Sequence, residues 1–256
     1  MADRDSQLRD EYLLQGYMDA NIAGYEVKVD PYHVDFWRKA GSGTWEPNTY
    51  KILSHYLKED SHYCDIGAWI GPTVLHAAQL AKKVICFEPD PTAYRYLRWN
   101  IDLNKLKNVS SYSLALAETM SISRMASHRG KPGDSMTSLL FDNEGSGVDV
   151  LTMQWQQFLQ MSPVKHIDFM KIDIEGGEYQ LMPSLKEYLQ LNKPVLYLST
   201  HAPLLEPEQR LAKMQGLIDV LSIYDKCLDD DLQPIDINSL VSEDALEHFR
   251  SYVFTD

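Results

Sequence analysis

From residue 44 onward, short apolar runs alternate with longer segments in which apolar residues recur every three or four positions. Runs of four to eight read as buried strands, and the wider spacing reads as helices packed by one face. The pattern predicts strands over residues 63–66, 84–87, 109–116, 167–174 and 195–199. It predicts helices over about 72–82, 91–104, 177–189 and 207–222, and another opened by Glu46, Pro47 and Asn48 and ending near Leu57. The closing SYVFTD would add a last strand. Strands that alternate with helices imply a sheet covered on both faces. The expected fold is α/β and Rossmann-like, a mostly parallel sheet of about seven strands with helices on both faces.

Residues 1–43 break that rhythm. Leu8, Tyr12, Leu13 and Tyr17 suit a short amphipathic helix over 5–20, YEVKV at 25–29 alternates like a strand, and residues 33–37 are expected to pair with it. The chain thus divides into an N-terminal cap segment, 1–43, and a main domain, 44–256. Residues 121–147, rich in Gly, Ser, Asp and Met, carry little pattern and are expected to form a long loop over the site.

Composition narrows the class. The 256 residues are 44% hydrophobic and 24% charged, the balance of a soluble globular chain. No apolar run approaches the roughly 18 residues of a membrane span. The start, MADRDSQLRDEYLL, lacks the basic-then-apolar order of a secretory signal, so a cytoplasmic location is expected. A net charge of −13 opposes nucleic-acid binding, and no nucleic-acid partner is expected. The small basic run YRYLR at 94–98 reads as a solvated helix face. Cys64, Cys86 and Cys227 show no metal-ligand spacing, and Cys64 and Cys86, which lie in apolar runs, read as buried small hydrophobes.

The chemistry gathers at predicted strand ends. HYCDIGAWIG at 62–71 leaves a strand through Asp65, Gly67, Ala68 and Gly71 into a helix. Glycine there permits positive φ and close approach, and a helix N-terminus offers free N–H groups. CFEPD ends the next strand in Glu88, Pro89 and Asp90, and Glu88 follows Asp65 by 88 − 65 = 23 residues. An acid about 20 residues beyond a glycine turn suits a ribose diol. Two carboxylates at adjacent strand ends fit S-adenosylmethionine, which carries an ammonium and a ribose. Trp69 occupies the second glycine position of the dinucleotide fingerprint, which speaks against NAD.

FMKIDIEGGE places Lys171, Asp173 and Glu175 on one strand face, with Glu178 in the first turn of the next helix. STHAP brings His201 to the same rim, where imidazole can accept a hydroxyl proton. Asp173 and His201 can also be read as sharing a divalent ion, but no compact ligand motif marks one and no metal ligand is assigned. A second reading of Lys171 and the two acids is a mutually satisfied ion network.

Together these segments resemble the FkbM family of class I S-adenosylmethionine-dependent methyltransferases. DIGAWIG is similar to the family's glycine motif, CFEPDP to its ribose-binding acid and KIDIEGGE to its K-x-D-x-E-G-x-E hallmark. WEPNTYKIL and LALAE are similar as well, and the resemblance covers roughly residues 44–201. Trp69 stands where the family commonly has Asn. The resemblance implies that Asp65, Gly67, Ala68 and Gly71 line the methionine end of the donor. It implies that Glu88 holds the ribose, with Asp90 beside the adenine, Ala115 to Ala117 near the adenine edge and Pro89 among the donor-binding residues. Glu46 would approach from the N-terminal side. The implied activity is O-methylation of a sugar or natural-product hydroxyl, with His201 as base, Asp173 and Glu175 orienting it or the substrate, and Lys171 anchoring the carboxylates.

N-methylation and a non-catalytic binding module are the rival readings. No N-P-P-Y marks the fourth strand end, and the intact acids at three strand ends oppose a vestigial module. The N-terminal aromatics, Phe36, Trp37 and Trp45 among them, would form the cap's core or stack on a sugar; a homodimer through this segment is a further possibility.

Overall fold

The computed structural model describes residues 2–127, 130, 133–140 and 147–256. The chain opens with α1 (Ala2–Gln15), β1 (Met18–Ile22), β2 (Tyr25–Val29), α2 (Val34–Gly41) and α3 (Pro47–Tyr56). The alternating part follows as β3 (His62–Ile66), α4 (Pro72–Leu80), β4 (Lys83–Phe87), α5 (Pro91–Leu103) and β5 (Val109–Tyr112). Next come the short β6 (Ala115–Leu116), β7 (Ser121–Ser127), β8 (Thr137–Ser138) and β9 (Val148–Met153). Then α6 (Trp155–Met161), β10 (Phe169–Ile172), α7 (Glu178–Asn192), β11 (Val195–Thr200) and α8 (Pro207–Leu221) complete the α/β part. The chain closes with β12 (Lys226–Leu228), β13 (Pro234–Ile235), α9 (Glu243–Glu247) and β14 (Arg250–Thr255).

The main sheet runs β13-β12-β14-β11-β10-β3-β4-β5. Strands β11, β10, β3, β4 and β5 are parallel, and β14 adds antiparallel to β11. Side chains along a strand alternate between faces. Tyr63, Val84, Phe169 and Val253 therefore pack against α3, α4 and α5 on one side. Their neighbours Cys64, Ile85, Met170 and Phe254 pack with α6, α7 and α8 on the other. The chain leaves β3 toward β4 on one side and later returns as β10 on the other. The winding reverses between β3 and β10, which is where such sheets open a crevice for ligands.

Four local expectations need correction. The N-terminal helix stops at Gln15, and residues 18–22 become β1, paired with β2. Ala23 and Gly24, both at positive φ, form the tight turn that joins them. Residues 34–37 lie in α2 and pair with no strand. Asp30, fully buried, turns the chain there by accepting the backbone N–H of Tyr32 and His33 at 3.0 and 3.1 Å. The segment 109–116 splits: β5 stays in the main sheet, while β6 leaves it to pair with β9.

The expected loop over 121–147 instead contains β7, which pairs antiparallel with β9 and β8. Exposed Ser121 and Ile122 and buried Met125 to Ser127 in one strand blur the period-2 signal. Part of that expectation, residues 128–129, 131–132 and 141–146, lies outside the described residues. In the N-terminal segment, Ile22, Val27 and Trp37 pack with Ile70 and Leu75 of the α4 region.

Candidate donor and acceptor site

The site starts as one row across three strands. Lys171 is in register with Asp65 on β3 and with Tyr197 on β11, so all three side chains share the face covered by α3 and α4. Asp65 is fully buried. Thr73, in the first turn of α4, donates to its Oδ2 at 2.5 Å, and Lys171 Nζ stands 3.8 Å from its Oδ1. Burial pushes the Asp65 carboxyl up, and Lys171 pulls it back. Burial would lower the lysine, but Asp173 and Asp65 more than offset it and hold the ammonium charged. The hydroxyls of Tyr197 and Thr49 are hydrogen-bonded at 2.9 Å.

The strand ends carry the next layer. Gly67 sits at φ +90, and a Cβ there would fall onto the carbonyl oxygen of Asp173. The turn after β3 can therefore press against the end of β10 only as glycine. Trp69 follows in the left-handed region at φ 46, a strained position for an aromatic residue. Its backbone N–H donates to Glu88 Oε2 at 2.8 Å, and its indole N–H donates to Gly133 O at 2.9 Å. Glu88 Oε1 takes the Asp90 N–H at 2.8 Å. Burial pushes the Glu88 carboxyl up to about 8 against these two lowering bonds.

Beyond β10, Asp173 receives Lys171 Nζ at 3.0 Å on Oδ2 and faces His201 Nε2 at 3.5 Å with Oδ1. Glu175 takes a left-handed φ of 50 and turns its carboxylate toward the same ring, Oε2 to Nε2 3.5 Å. Burial pushes the Glu175 carboxyl up to about 7. Burial would pull His201 down, yet Glu178, Asp173 and Glu175 raise it to about 9. The Glu178 carboxylate, wholly buried, takes the backbone N–H of His201 and of Gly176, each at 2.8 Å.

Two cavities meet at these residues. The smaller, of about 70 Å³, lies among Gly67, Glu88, Pro89, Ala115, Ala117 and Thr137. The larger, of about 430 Å³, lies among Phe36, Trp45, Glu46, Ala68, Lys171 and His201. Gly67, Trp69, Asp173 and Glu175 wall both. Of the sequence-derived residues, Asp65, Gly71 and Asp90 line neither. Asp65 lies beneath the floor, Gly71 caps α4 against Leu97, and Asp90 caps α5. Trp37 is core, whereas Phe36 and Trp45 face the larger cavity.

Sequence reasoning missed Asp230, Phe249 and Arg250 in that cavity wall. Phe249 and Arg250 arrive through the antiparallel return of β14 beside β11, a pairing that no local spacing announces. The Phe249 and His201 rings lie 5.1 Å apart. Glu178 was legible only as a helix-dipole partner, not as the carboxylate under His201.

Comparison with known proteins identifies the family. The family model described as Methyltransferase FkbM domain matches residues 65–219, more than half of the chain. The chain belongs to the FkbM methyltransferase family. Among curated proteins no sequence relative matches.

A solved FkbM methyltransferase from Methylobacillus flagellatus is 15% identical, with a TM-score of 0.43, over 76% of this chain and 55% of that one. A putative methyltransferase from Streptococcus mutans, solved in complex with S-adenosylhomocysteine (SAH), is 11% identical, with a TM-score of 0.47, over 81% and 94%. A tRNA (uracil-54, C5)-methyltransferase from Pyrococcus abyssi, also solved with SAH, is 12% identical, with a TM-score of 0.45, over 94% and 44%. The chain spans about half the length of the first and third of these. Among the described residues no helix is long and apolar enough to cross a membrane.

Proposed function

We propose that the protein moves a methyl group from S-adenosylmethionine to a hydroxyl of a small molecule or carbohydrate. The observation that carries this reading is the pair of cavities joined at Gly67, Trp69, Asp173 and Glu175. The smaller suits the nucleoside: Glu88 presents a carboxylate to a ribose diol, and Ala115 and Ala117 leave a shallow apolar slot for a flat base. When bound, the donor supplies an activated methyl on a sulfonium.

The residues of this chain do the rest. Gly67 lets the backbone approach the methionine end, and the buried Asp65–Lys171 pair beneath keeps that floor rigid. Phe36, Trp45 and Trp69 give the larger cavity apolar walls, while Glu46, Asp173 and Glu175 offer acceptors for acceptor hydroxyls. The hydroxyl to be methylated is held at the rim of Asp173, Glu175 and His201, where its proton leaves as the C–O bond forms. Alignment of the two reactants and exclusion of water are the main contributions required. The acidic rim and the net charge of −13 favour a neutral, hydroxyl-rich acceptor over a phosphate backbone.

The test is calorimetric titration with SAH on the parent and on Glu88→Ala. Micromolar binding that weakens at least tenfold, about 1.4 kcal/mol, supports the donor site. A folded parent that binds no SAH sinks the reading.

A further inference from the structure

We propose that Asp173, Glu175 and His201 form a binding site for one divalent metal ion at the junction of the two cavities. The sequence offers only Asp173 and His201 as a pair, on different strand ends and without a ligand motif. The fold adds Glu175. One ligand atom from each of the three lies within 4.8 Å of the other two. His201 Nε2 stands 3.5 Å from Asp173 Oδ1 and 3.5 Å from Glu175 Oε2. Two ligand atoms with bonds of about 2.1 Å at a tetrahedral angle sit about 3.4 Å apart. Two edges of the polyhedron therefore already have the right length, and a small side-chain adjustment closes the third.

Three further observations point to a ligand rather than to an acidic cluster alone. Glu175 Oε2 is buried and has no hydrogen-bond donor among the described residues, although an ionised oxygen without a partner is costly to bury. The backbone holds it there in the left-handed region at φ 50, a strained conformation that aims the carboxylate inward. His201 is oriented from behind. Its Nδ1 lies 3.2 Å from Glu178 Oε1, and a carboxylate can only accept, so Nδ1 carries a proton and Nε2 is the nitrogen turned toward the two acids, where a bound ion would take the place of its proton. A carboxylate behind a histidine whose other nitrogen faces acids is the second-layer arrangement of metal-ligating imidazoles.

Charge agrees. Asp65, Asp173, Glu175 and Glu178 lie together against Lys171 and His201, and Lys171 is already committed to Asp65 and Asp173 Oδ2. A divalent ion between Asp173 Oδ1 and Glu175 Oε2, in place of the His201 Nε2 proton, offsets more of this negative charge. Two carboxylates and one imidazole, with no thiolate, suit Mn²⁺, Fe²⁺ or Zn²⁺. The remaining positions face the 430 Å³ cavity. There the ion would bind the acceptor hydroxyl and lower its pKa. The S–C bond breaks, the O–C bond forms, and the hydroxyl proton leaves to water at the cavity mouth. This role rests on the proposed function; the binding of the ion does not.

The test titrates chelator-stripped protein with Mn²⁺ alone and follows the free-ion electron paramagnetic resonance signal, with SAH calorimetry run on the same samples. One ion per chain with a dissociation constant below about 100 μM is expected. Asp173→Asn and Glu175→Gln should each weaken it at least tenfold, and Glu178→Gln by about 10- to 100-fold. Pulsed resonance on the parent should show nitrogen coupling from a coordinated imidazole, which does not depend on any variant folding. Absence of saturable binding, absence of nitrogen coupling, or affinity unchanged in all three variants overturns the site. SAH binding without Mn²⁺ binding overturns the metal alone; Mn²⁺ binding without SAH binding sinks the methyltransferase reading and leaves the metal site standing.

Discussion

One carboxylate oxygen of Glu178 meets His201 twice, accepting the backbone N–H at 2.8 Å and lying 3.2 Å from the ring Nδ1. Its other oxygen takes the Gly176 N–H at 2.8 Å. The first turn of α7 thus fixes both the end of β11 and the loop that carries Glu175. Glu178→Gln swaps one acceptor oxygen for a donor that must face a backbone N–H. A stability loss of about 2 kcal/mol or more is expected, read from urea unfolding. A loss under about 0.5 kcal/mol would mean that the three bonds are not held in solution.

Glu88 should make both stability and donor binding depend on pH. Its folded carboxyl is raised to about 8 from the usual 4.5, so between these values the folded state holds a proton that the unfolded state has lost. Stability falls as pH rises through that window and levels off above it. Glu88→Gln should flatten the dependence, seen in melting temperatures measured on either side of the window, at about pH 5 and about pH 9. Ribose hydroxyls donate to the charged form, so SAH affinity should climb with pH up to about 8 and proton release should appear as a buffer-dependent heat. A parent that binds SAH equally across the window contradicts the role given to Glu88.

Removing Lys171 should be among the most damaging single changes. Lys171→Met leaves Asp65 fully buried without its neighbouring cation, at a cost of about 3–5 kcal/mol. The double change Lys171→Met with Asp65→Asn should recover much of that, because no unpaired charge stays behind at Asp65. A double variant as unstable as the sum of the two singles would show that lost packing, rather than stranded charge, dominates the damage.

The turn after β3 separates shape from side-chain chemistry. Gly67→Ala should unfold the loop or the protein, since its Cβ falls onto backbone rather than onto a yielding side chain. Trp69→Phe keeps an aromatic wall but loses the bond to Gly133 O, and should weaken SAH binding by a few-fold while its stability stays within about 1 kcal/mol of the parent. A larger loss of stability without loss of binding would reverse the assignment of that contact.

Four of the five parallel strands, β3, β4, β10 and β11, were legible because each is buried on both faces and reads as a largely apolar run, as with β3 (HYCDI) and β4 (KVICF). Strand β1, MDANI, was not: Asp19 and Asn21 sit among buried Met18, Ala20 and Ile22 in a stretch that also fits a helical spacing. The pairing of β7 with β9 escaped because its outer half is polar or exposed and its partner lies beyond a long connection. At the site, Glu88, Lys171, Asp173, Glu175 and His201 announced themselves as acids and bases at strand ends, which is chemistry readable in one dimension. Which of their atoms face one another is a property of register and of φ at Glu175, and no pattern in the chain states it.

Asp90 serves two neighbours at once. Oδ1 accepts Thr92 N–H at 2.7 Å and Ala93 N–H at 3.3 Å at the start of α5, while Oδ2 takes Gly133 N–H at 2.9 Å and the Thr137 hydroxyl at 3.4 Å. Gly133 in turn receives the indole of Trp69, so the segment covering the smaller cavity is tied to the sheet on both sides. Retuning nucleoside preference by mutating Asp90 would therefore uncap a helix and loosen the roof together. Divergence among relatives of this chain should accordingly leave that aspartate alone and vary Ala115 and Ala117, whose side chains line the cavity without holding the roof in place.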